Sequence, residues 1–241
     1  MQWLRSFVFT ALLFANSLLF GGIVILARPF GLGAAHACAR VWARSNLWML
    51  RHLCGLDYVV EGLENIPREG AHISYWKHTS TWETMAQMLI FPPQSWVLKR
   101  EIFWIPLVGW GTACMRPIAI NRSAGHRAVN QVVEQGSERL AAGLWILLFP
   151  EGTRVMPGQT RKFGLSGALL GSKTGAKLVP VAHNAGDFWP RRGLLKKRGT
   201  IRVVIGPPIE TLGRDPRELN QQAQAWTESA MARISSAYTR S

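Results

Sequence analysis

A histidine with a carboxylate five residues further on, His78 and Glu83 in Lys77-His78-Thr79-Ser80-Thr81-Trp82-Glu83-Thr84, can form a polarised base. On one continuous helix, at 3.6 residues per turn, two such side chains diverge. The spacing therefore predicts His78 on the turn before a helix, with Ser80 as N-cap and an apolar helix from Thr81 to Phe91. Glu83 then stands behind the imidazole. The same residues also fit a capping box, Ser80-Thr81-Trp82-Glu83, in which Glu83 serves only the backbone at the helix start.

A second run, Leu147-Leu148-Phe149-Pro150-Glu151-Gly152-Thr153-Arg154, is strand-like up to Pro150 and then delivers Glu151, Thr153 and Arg154 to a loop. Arg116-Pro117-Ile118-Ala119-Ile120-Asn121-Arg122 ends a β-branched run in an arginine, and Leu178-Val179-Pro180-Val181-Ala182-His183-Asn184 ends one in polar groups. Strand ends display binding groups in α/β sheets. Four polar strand ends imply one shared site.

These four ordered blocks, from about Ala71 to Asn184, resemble the 1-acylglycerol-3-phosphate O-acyltransferases of phospholipid synthesis. That family's first block is a histidine, four residues and an acid, matched by His78 and Glu83, although the acid is more often Asp. Its second block ends in an arginine, matched by Arg122. Its third is Phe-Pro-Glu-Gly-Thr-Arg, matched without change by Phe149 through Arg154, and Val179-Pro180-Val181 resembles the fourth. Lys77 stands where Asn is common, Asn121 where Asp is common, and Ser166 interrupts a frequent Gly-Gly pair. The resemblance implies transfer of a fatty acyl group to the sn-2 hydroxyl of 1-acyl-sn-glycerol 3-phosphate, giving phosphatidic acid. It also implies that Lys99, in Leu98-Lys99-Arg100-Glu101, contacts phosphate.

Acyl transfer from a thioester to a hydroxyl needs a base for the hydroxyl proton, and histidine titrates near neutrality. Glu83 would fix its tautomer and stabilise the imidazolium. For a phosphomonoester, the planar fork of Arg122 and Arg154 is better suited than a lysine. Glu151 could bind the glycerol portion or buttress its loop, while Gly152 and Thr153 could supply backbone and hydroxyl donors. A covalent route through Ser80 has no nucleophile elbow to support it, since Gly164-Leu165-Ser166-Gly167 has the wrong spacing. Gly167 through Lys173 is too short for a P-loop, and no His-Glu-x-x-His or Cys-x-x-Cys run occurs. No metal or bound cofactor is implied. The acyl donor is expected as a cosubstrate, a thioester of coenzyme A or of acyl carrier protein.

Phe7 through Ala27 carries no charge and would extend about 30 Å as a helix, enough to enter or cross a bilayer. No small-x-small cleavage site comes after it, which favours a retained anchor over a secretory signal. Ala34 to Gly55 interleaves Trp42, Leu47, Trp48 and Leu53 with Arg40, Arg44 and Arg51, an interfacial pattern. Together with Arg28, these arginines place the chain beyond the anchor on the cytoplasmic side, as for a bacterial inner-membrane enzyme. Three cysteines, Cys38, Cys54 and Cys114, give no disulfide framework.

The 241 residues, 48% hydrophobic and with 28 basic against 14 acidic residues, allow one anchor and one core. No nucleic-acid-binding signature accompanies the charge of +14, so anionic lipids are the expected partner. The densest basic group, Arg191, Arg192, Lys196, Lys197 and Arg198, is expected on acidic headgroups or on an acyl carrier protein.

Strands are expected near 58–60, 72–75, 96–98, 117–120, 145–149, 178–181 and 200–205, the last with an edge position open to it. Helices are expected from Thr81, over 123–142, over 167–174 and from Pro216 to about Tyr238. Alternating elements imply an α/β fold, a mixed central sheet flanked by helices, behind an N-terminal membrane-anchoring helical segment. The expected division is 1–56 for anchoring and interfacial helices and 57–241 for the catalytic domain. Pro157 and Gly158 mark a loop, 155–162, with little apolar anchoring, a candidate lid. The alternatives are an acyltransferase for a lyso-ornithine lipid or another lysophospholipid, and a non-enzymatic basic membrane-surface protein.

Overall fold

Ile73-Ser74-Tyr75-Trp76, Trp145 through Leu148 and Leu178 through Val181 are apolar at nearly every position, as parallel strands covered on both faces must be. The computed structural model describes residues 1–121 and 124–238 and sets these three runs side by side. They are β2 (Ile73–Trp76), β5 (Trp145–Leu148) and β6 (Leu178–His183). With β1 (Leu56–Glu61), β3 (Gln94–Lys99), β4 (Ile118–Ile120) and β7 (Gly199–Ile205) they form a sheet of order β1-β7-β6-β2-β5-β3-β4. Every neighbouring pair is parallel except β6 with β7. The carboxyl ends of β2, β3, β4, β5 and β6 therefore share one edge of the sheet, and the polar strand ends meet there.

Alternation along the strands divides the core. Tyr75, Ile146, Leu148 and Leu178 face α5 (His126–Ala141), α6 (Ser166–Thr174) and α8 (Pro216–Ile234), where Val132, Leu170 and Leu219 are buried. Trp76, Leu147, Val179 and Val181 face the other way, toward α1 (Gln2–Ala27), α2 (Leu32–Met49) and α3 (Glu83–Ile90). The remaining helices are α4 (Val108–Ala113) and the short α7 (Ala185–Phe188). Burying both faces of a parallel sheet requires these two helical layers.

The span Gln2–Phe30 contains an 18-residue stretch of mean hydropathy 2.2 and is long enough to cross a membrane. One face of α1 is nevertheless committed to the protein: Ser6, Phe9, Leu13, Gly21 and Val24 are buried at helical spacing. At one end Gln2 Nε2 donates to the carbonyls of Cys54 (2.9 Å) and Lys196 (2.6 Å). Toward the other end α1 touches α4 so closely that a Cβ on Gly21 would lie 2.7 Å from the Leu107 carbonyl oxygen. Phe7, Phe14, Leu19 and Leu26 cover the opposite face, largely exposed. Leu56 opens the sheet, and one core cluster runs from Phe9 of α1 to Ile205 of β7.

Several expectations change. The strand 199–205 is interior, between β1 and β6, because β1 takes the edge. The last helix stops at Ile234, and Ser235 turns away to donate from its Oγ to Asp187 Oδ1 at 2.9 Å. α4 and the 3₁₀ turn Arg100–Trp104 had no periodic signal in a Gly- and Trp-rich stretch. Lys196 is not on a headgroup surface: it is buried over the rings of Trp189 (4.8 Å) and Phe9 (5.4 Å) and donates to Leu194 O (2.8 Å) and to Thr10 Oγ1. Burial pushes its ammonium down to about 8. The 155–162 loop is tethered by buried Val155, whose N–H donates to His78 O at 2.8 Å, and by Gln159 O, which accepts from Tyr238 Oη at 2.9 Å.

Candidate active site

The His78 block keeps the predicted turn before a helix, but α3 begins at Glu83 with Trp82 as its N-cap, two residues after the expected Ser80. His78 lies just beyond β2, and Glu83 opens α3 with its carboxylate turned back. Glu83 Oε1 accepts from His78 Nδ1 at 2.8 Å, from Thr79 N at 3.1 Å and from Ser80 N at 3.0 Å. Ser80 Oγ accepts from Trp82 N at 3.1 Å. The turn ahead of the helix therefore holds, through the Thr79 and Ser80 N–H groups, the carboxylate that orients the histidine. Burial alone would raise Glu83, but the His78 hydrogen bond, nearby His183 and the Ser80 N–H hold it below the ordinary carboxylate range. An ionised Glu83 fixes Nδ1–H as the donor and leaves Nε2 with a free lone pair.

The ring of His78 is stacked on Phe149, centroids 3.9 Å apart and planes inclined by 17°. Its main chain is pinned too: His78 N donates to Glu151 Oε2 at 2.7 Å. Of the two roles open to Glu151, the geometry gives that of buttress. Its carboxylate is buried and ion-paired with Lys77 Nζ at 2.7 Å, so it is withdrawn from substrate. Lys77, itself fully buried, also reaches Glu228 at 3.1 Å. Burial disfavours the Lys77 ammonium, yet Glu151 more than offsets this and its pKa rises. Sequence reasoning noted Lys77 only as a departure from Asn. Its partners are supplied by a later strand end and by α8, so no local pattern announces it.

His183, at the end of β6, is a second imidazole behind Glu83, its Nε2 4.0 Å from Glu83 Oε2. Nε2–H donates to Lys77 O at 2.7 Å and Nδ1 accepts from Ala185 N at 3.4 Å, the pattern of a neutral ring. Burial lowers its pKa, against the pull of Glu83.

Two spaces open from His78. The first is an apolar cavity of about 330 Å³. Its walls include Phe20, Gly21 and Val24 of α1, Trp42 of α2, Met88 of α3 and Met115 after α4, with Lys99 and Arg154 also on its lining. The second, about 300 Å³, is polar and open, lined by His78, Thr153, Arg154, Arg191 and Arg192. The structure thus brings His78, Glu83, Glu151, Thr153 and Arg154 together, with exposed Lys99 at the end of β3 on the cavity wall. Gly152 shapes the turn: its φ is +70° and its N–H donates to Phe149 O at 2.9 Å. Arg122 lies outside the described residues. Phe149, Arg191, Arg192 and His183 were not singled out as site residues from sequence.

An imidazole held by a carboxylate at a sheet edge, facing an apolar chamber and a cationic mouth, is the layout of an enzyme that works on amphipathic anions. The chain matches the family model described as Acyltransferase over residues 57–184, and it belongs to that family. It is 43% identical over 239 residues to the 1-acyl-sn-glycerol-3-phosphate acyltransferase of Pseudomonas aeruginosa, covering 97% of this chain and 93% of that one. A protein of the same description from Borreliella burgdorferi is 27% identical over 178 residues, 73% of this chain and 68% of that protein. Among solved structures, the 1-acyl-sn-glycerophosphate (LPA) acyltransferase PlsC from Thermotoga maritima superposes with a TM-score of 0.81 at 20% identity, covering 96% and 95% of the two chains. The protein is thus an acyltransferase with this α/β fold.

Proposed function

We propose that this enzyme esterifies the sn-2 hydroxyl of 1-acyl-sn-glycerol 3-phosphate from an acyl thioester, yielding phosphatidic acid for phospholipid synthesis. The observation that carries the reading is the His78–Glu83 pair at 2.8 Å, placed where an apolar cavity of about 330 Å³ meets Arg154. His78 Nε2 takes the hydroxyl proton as the oxygen attacks the thioester carbonyl. The C–S bond then breaks, and the imidazolium returns the proton to the departing thiolate. Glu83 stabilises that imidazolium and never leaves Nδ1. The apolar cavity receives acyl chain. Lys99, Thr153, Arg154 and, in the second block, Arg122 contact the acceptor, with Arg154 on its phosphate. The donor, coenzyme A or acyl carrier protein thioester, is a cosubstrate, and no bound cofactor takes part.

The enzyme works at a membrane, and we place it on the cytoplasmic face of a bacterial inner membrane, against anionic lipids. Both ends of α1 touch the body of the protein, which supports a helix lying in one leaflet over one that leaves for the far side. Its exposed Phe7, Phe14 and Leu19 would then face lipid. The test is thioester-dependent acylation by detergent-solubilised wild type and His78→Ala, with 1-acylglycerol 3-phosphate, lyso-ornithine lipid and lysophosphatidylcholine in competition. Phosphatidic acid formation lost with His78 is expected. Preference for another acceptor would overturn the substrate, and an active variant would overturn the base.

A further inference from the structure

The four blocks shared with known acyltransferases end at Asn184, yet two of the residues around the polar pocket lie beyond them. Arg191 and Arg192 lie between α7 and β7, where the chain turns at Pro190 and Gly193. They line the same space as His78, Thr153 and Arg154. That wall holds three arginines and no carboxylate, a concentration of like charge that is unfavourable until an anion enters. Arg191 Nη1 donates to Arg154 O at 2.9 Å, which ties the third-block loop to this segment and leaves the rest of its fork unengaged. Among the described residues, neither the Arg154 guanidinium nor that of exposed Arg192 has a hydrogen-bonding or ionic partner. Arg192 is also held at φ +60°, a conformation unfavourable for a side-chain-bearing residue.

We propose that Arg191 and Arg192 complete, with Arg154, the subsite for the acceptor's phosphomonoester, Arg192 as a direct contact and Arg191 also as a positioning residue for the Arg154 loop. This rests on the function proposed above. Two substrates bring phosphate to the enzyme, and distance along each molecule separates them. In the acceptor, the phosphate hangs from the carbon next to the one that carries the reacting hydroxyl. An oxygen at His78 Nε2 therefore keeps that phosphate beside His78. In the donor, the whole pantetheine arm separates the thioester from the nearest phosphate, so its phosphates fall away from the histidine. A cationic wall that includes His78 itself suits the acceptor. The charge number agrees: a phosphomonoester carries roughly −1.5 to −2 near neutrality. A phosphodiester headgroup carries less charge and fewer free oxygens, so three forks favour the monoester and select against other lysolipids.

The experiment compares full-length wild type with Arg192→Ala, Arg192→Lys and Arg191→Gln in detergent micelles. KM and kcat are measured for 1-acylglycerol 3-phosphate, for phosphate-free 1-acylglycerol and for the acyl-coenzyme A donor. Arg192→Ala should raise the acceptor KM by about tenfold, the size of one charge-assisted hydrogen bond, while kcat and donor KM hold. Discrimination against phosphate-free acceptor should shrink by a similar factor, and Arg192→Lys should recover part of both. Arg191→Gln should raise the acceptor KM and lower kcat as well, because the Arg154 loop loses its tether. An unchanged acceptor KM in Arg192→Ala, or a rise confined to the donor KM, would overturn the assignment while the proposed function stood. Wild type inactive on the phosphate acceptor would instead overturn the function on which the assignment rests. Arg192 is solvent-exposed, so its replacement leaves the fold intact and unchanged thermal melting verifies this.

Discussion

Glu83→Gln separates what the carboxylate holds from what its charge does. In hydrolase triads an amide in this place can turn its nitrogen to the imidazole and enforce the wrong tautomer. Here the backbone N–H groups of Thr79 and Ser80 point at the same oxygen as His78, at 3.1 and 3.0 Å. They force the amide oxygen of a glutamine to stay where Oε1 is, so geometry and tautomer survive and only the charge is lost. At the observed 2.8 Å from Nδ1, the separation between carboxylate and delocalised imidazolium charge is roughly 4 Å. At an effective dielectric near 20 that interaction is roughly 4 kcal/mol, and the amide dipole retains part of it. A loss of about 2 to 4 kcal/mol is expected, or roughly 30- to 1,000-fold in kcat, with both KM values unchanged. Steady-state acylation in mixed micelles, with thermal melting as a folding control, measures it. A variant retaining more than about a third of wild-type kcat would refute electrostatic support by Glu83. Inactivity equal to that of His78→Ala, with intact folding, would refute the claim that the two N–H groups preserve the tautomer.

Lys77→Met should destabilise by about 3 to 5 kcal/mol, since it strands Glu151 in the interior, and Glu151→Gln in the same chain should recover part of that. Urea unfolding of the single and double variants checks this, and a cost under about 1 kcal/mol would show that the buried pair does not clasp the two strand ends. His183 has a folded pKa below its ordinary 6.5, so the unfolded chain binds its proton first on acidification. Its contribution to stability is complete above about pH 6.5 and is lost as pH falls toward the folded value, at up to about 1.4 kcal/mol per pH unit. His183→Gln keeps a donor for Lys77 O and should flatten that part of the profile, as denaturant midpoints at pH 7.5, 6.5 and 5.5 would reveal; a slope identical to wild type would exclude His183 as its source.

Much of this site is legible because its parts are local. The interval from His78 to Glu83 dictated a turn before a helix, and the third block ended a strand where its loop had to be displayed. Whether Glu83 serves the backbone or the imidazole could not be decided from sequence because it was not a choice: its Oε1 accepts from both. What stayed hidden depends on pairing across the chain. Lys77 reads as a misplaced cation until β5 and α8 bring Glu151 and Glu228 to it. Arg191 and Arg192 belong by composition to a surface patch, and only the antiparallel turn from β6 into β7 carries their loop back over the Arg154 loop. Lys196 sits in the same run yet is buried by aromatic partners, one of which is on α1. Charge density along the sequence could not separate these fates.

The wall that α1 lends to the apolar cavity makes the apolar N-terminal helix part of the candidate site itself. Ser17, Phe20, Gly21 and Val24 come from the very helix whose other face is bare hydrocarbon. An enzyme whose anchor hangs from a linker can be clipped free and still turn over. Here, removing α1 would unroof the apolar cavity and expose Trp42 and Met115 to water. Truncation of α1 is therefore expected to cost the cavity as well as the apolar surface. A form without this helix would need other parts of the fold to supply the wall that Phe20, Gly21 and Val24 now provide.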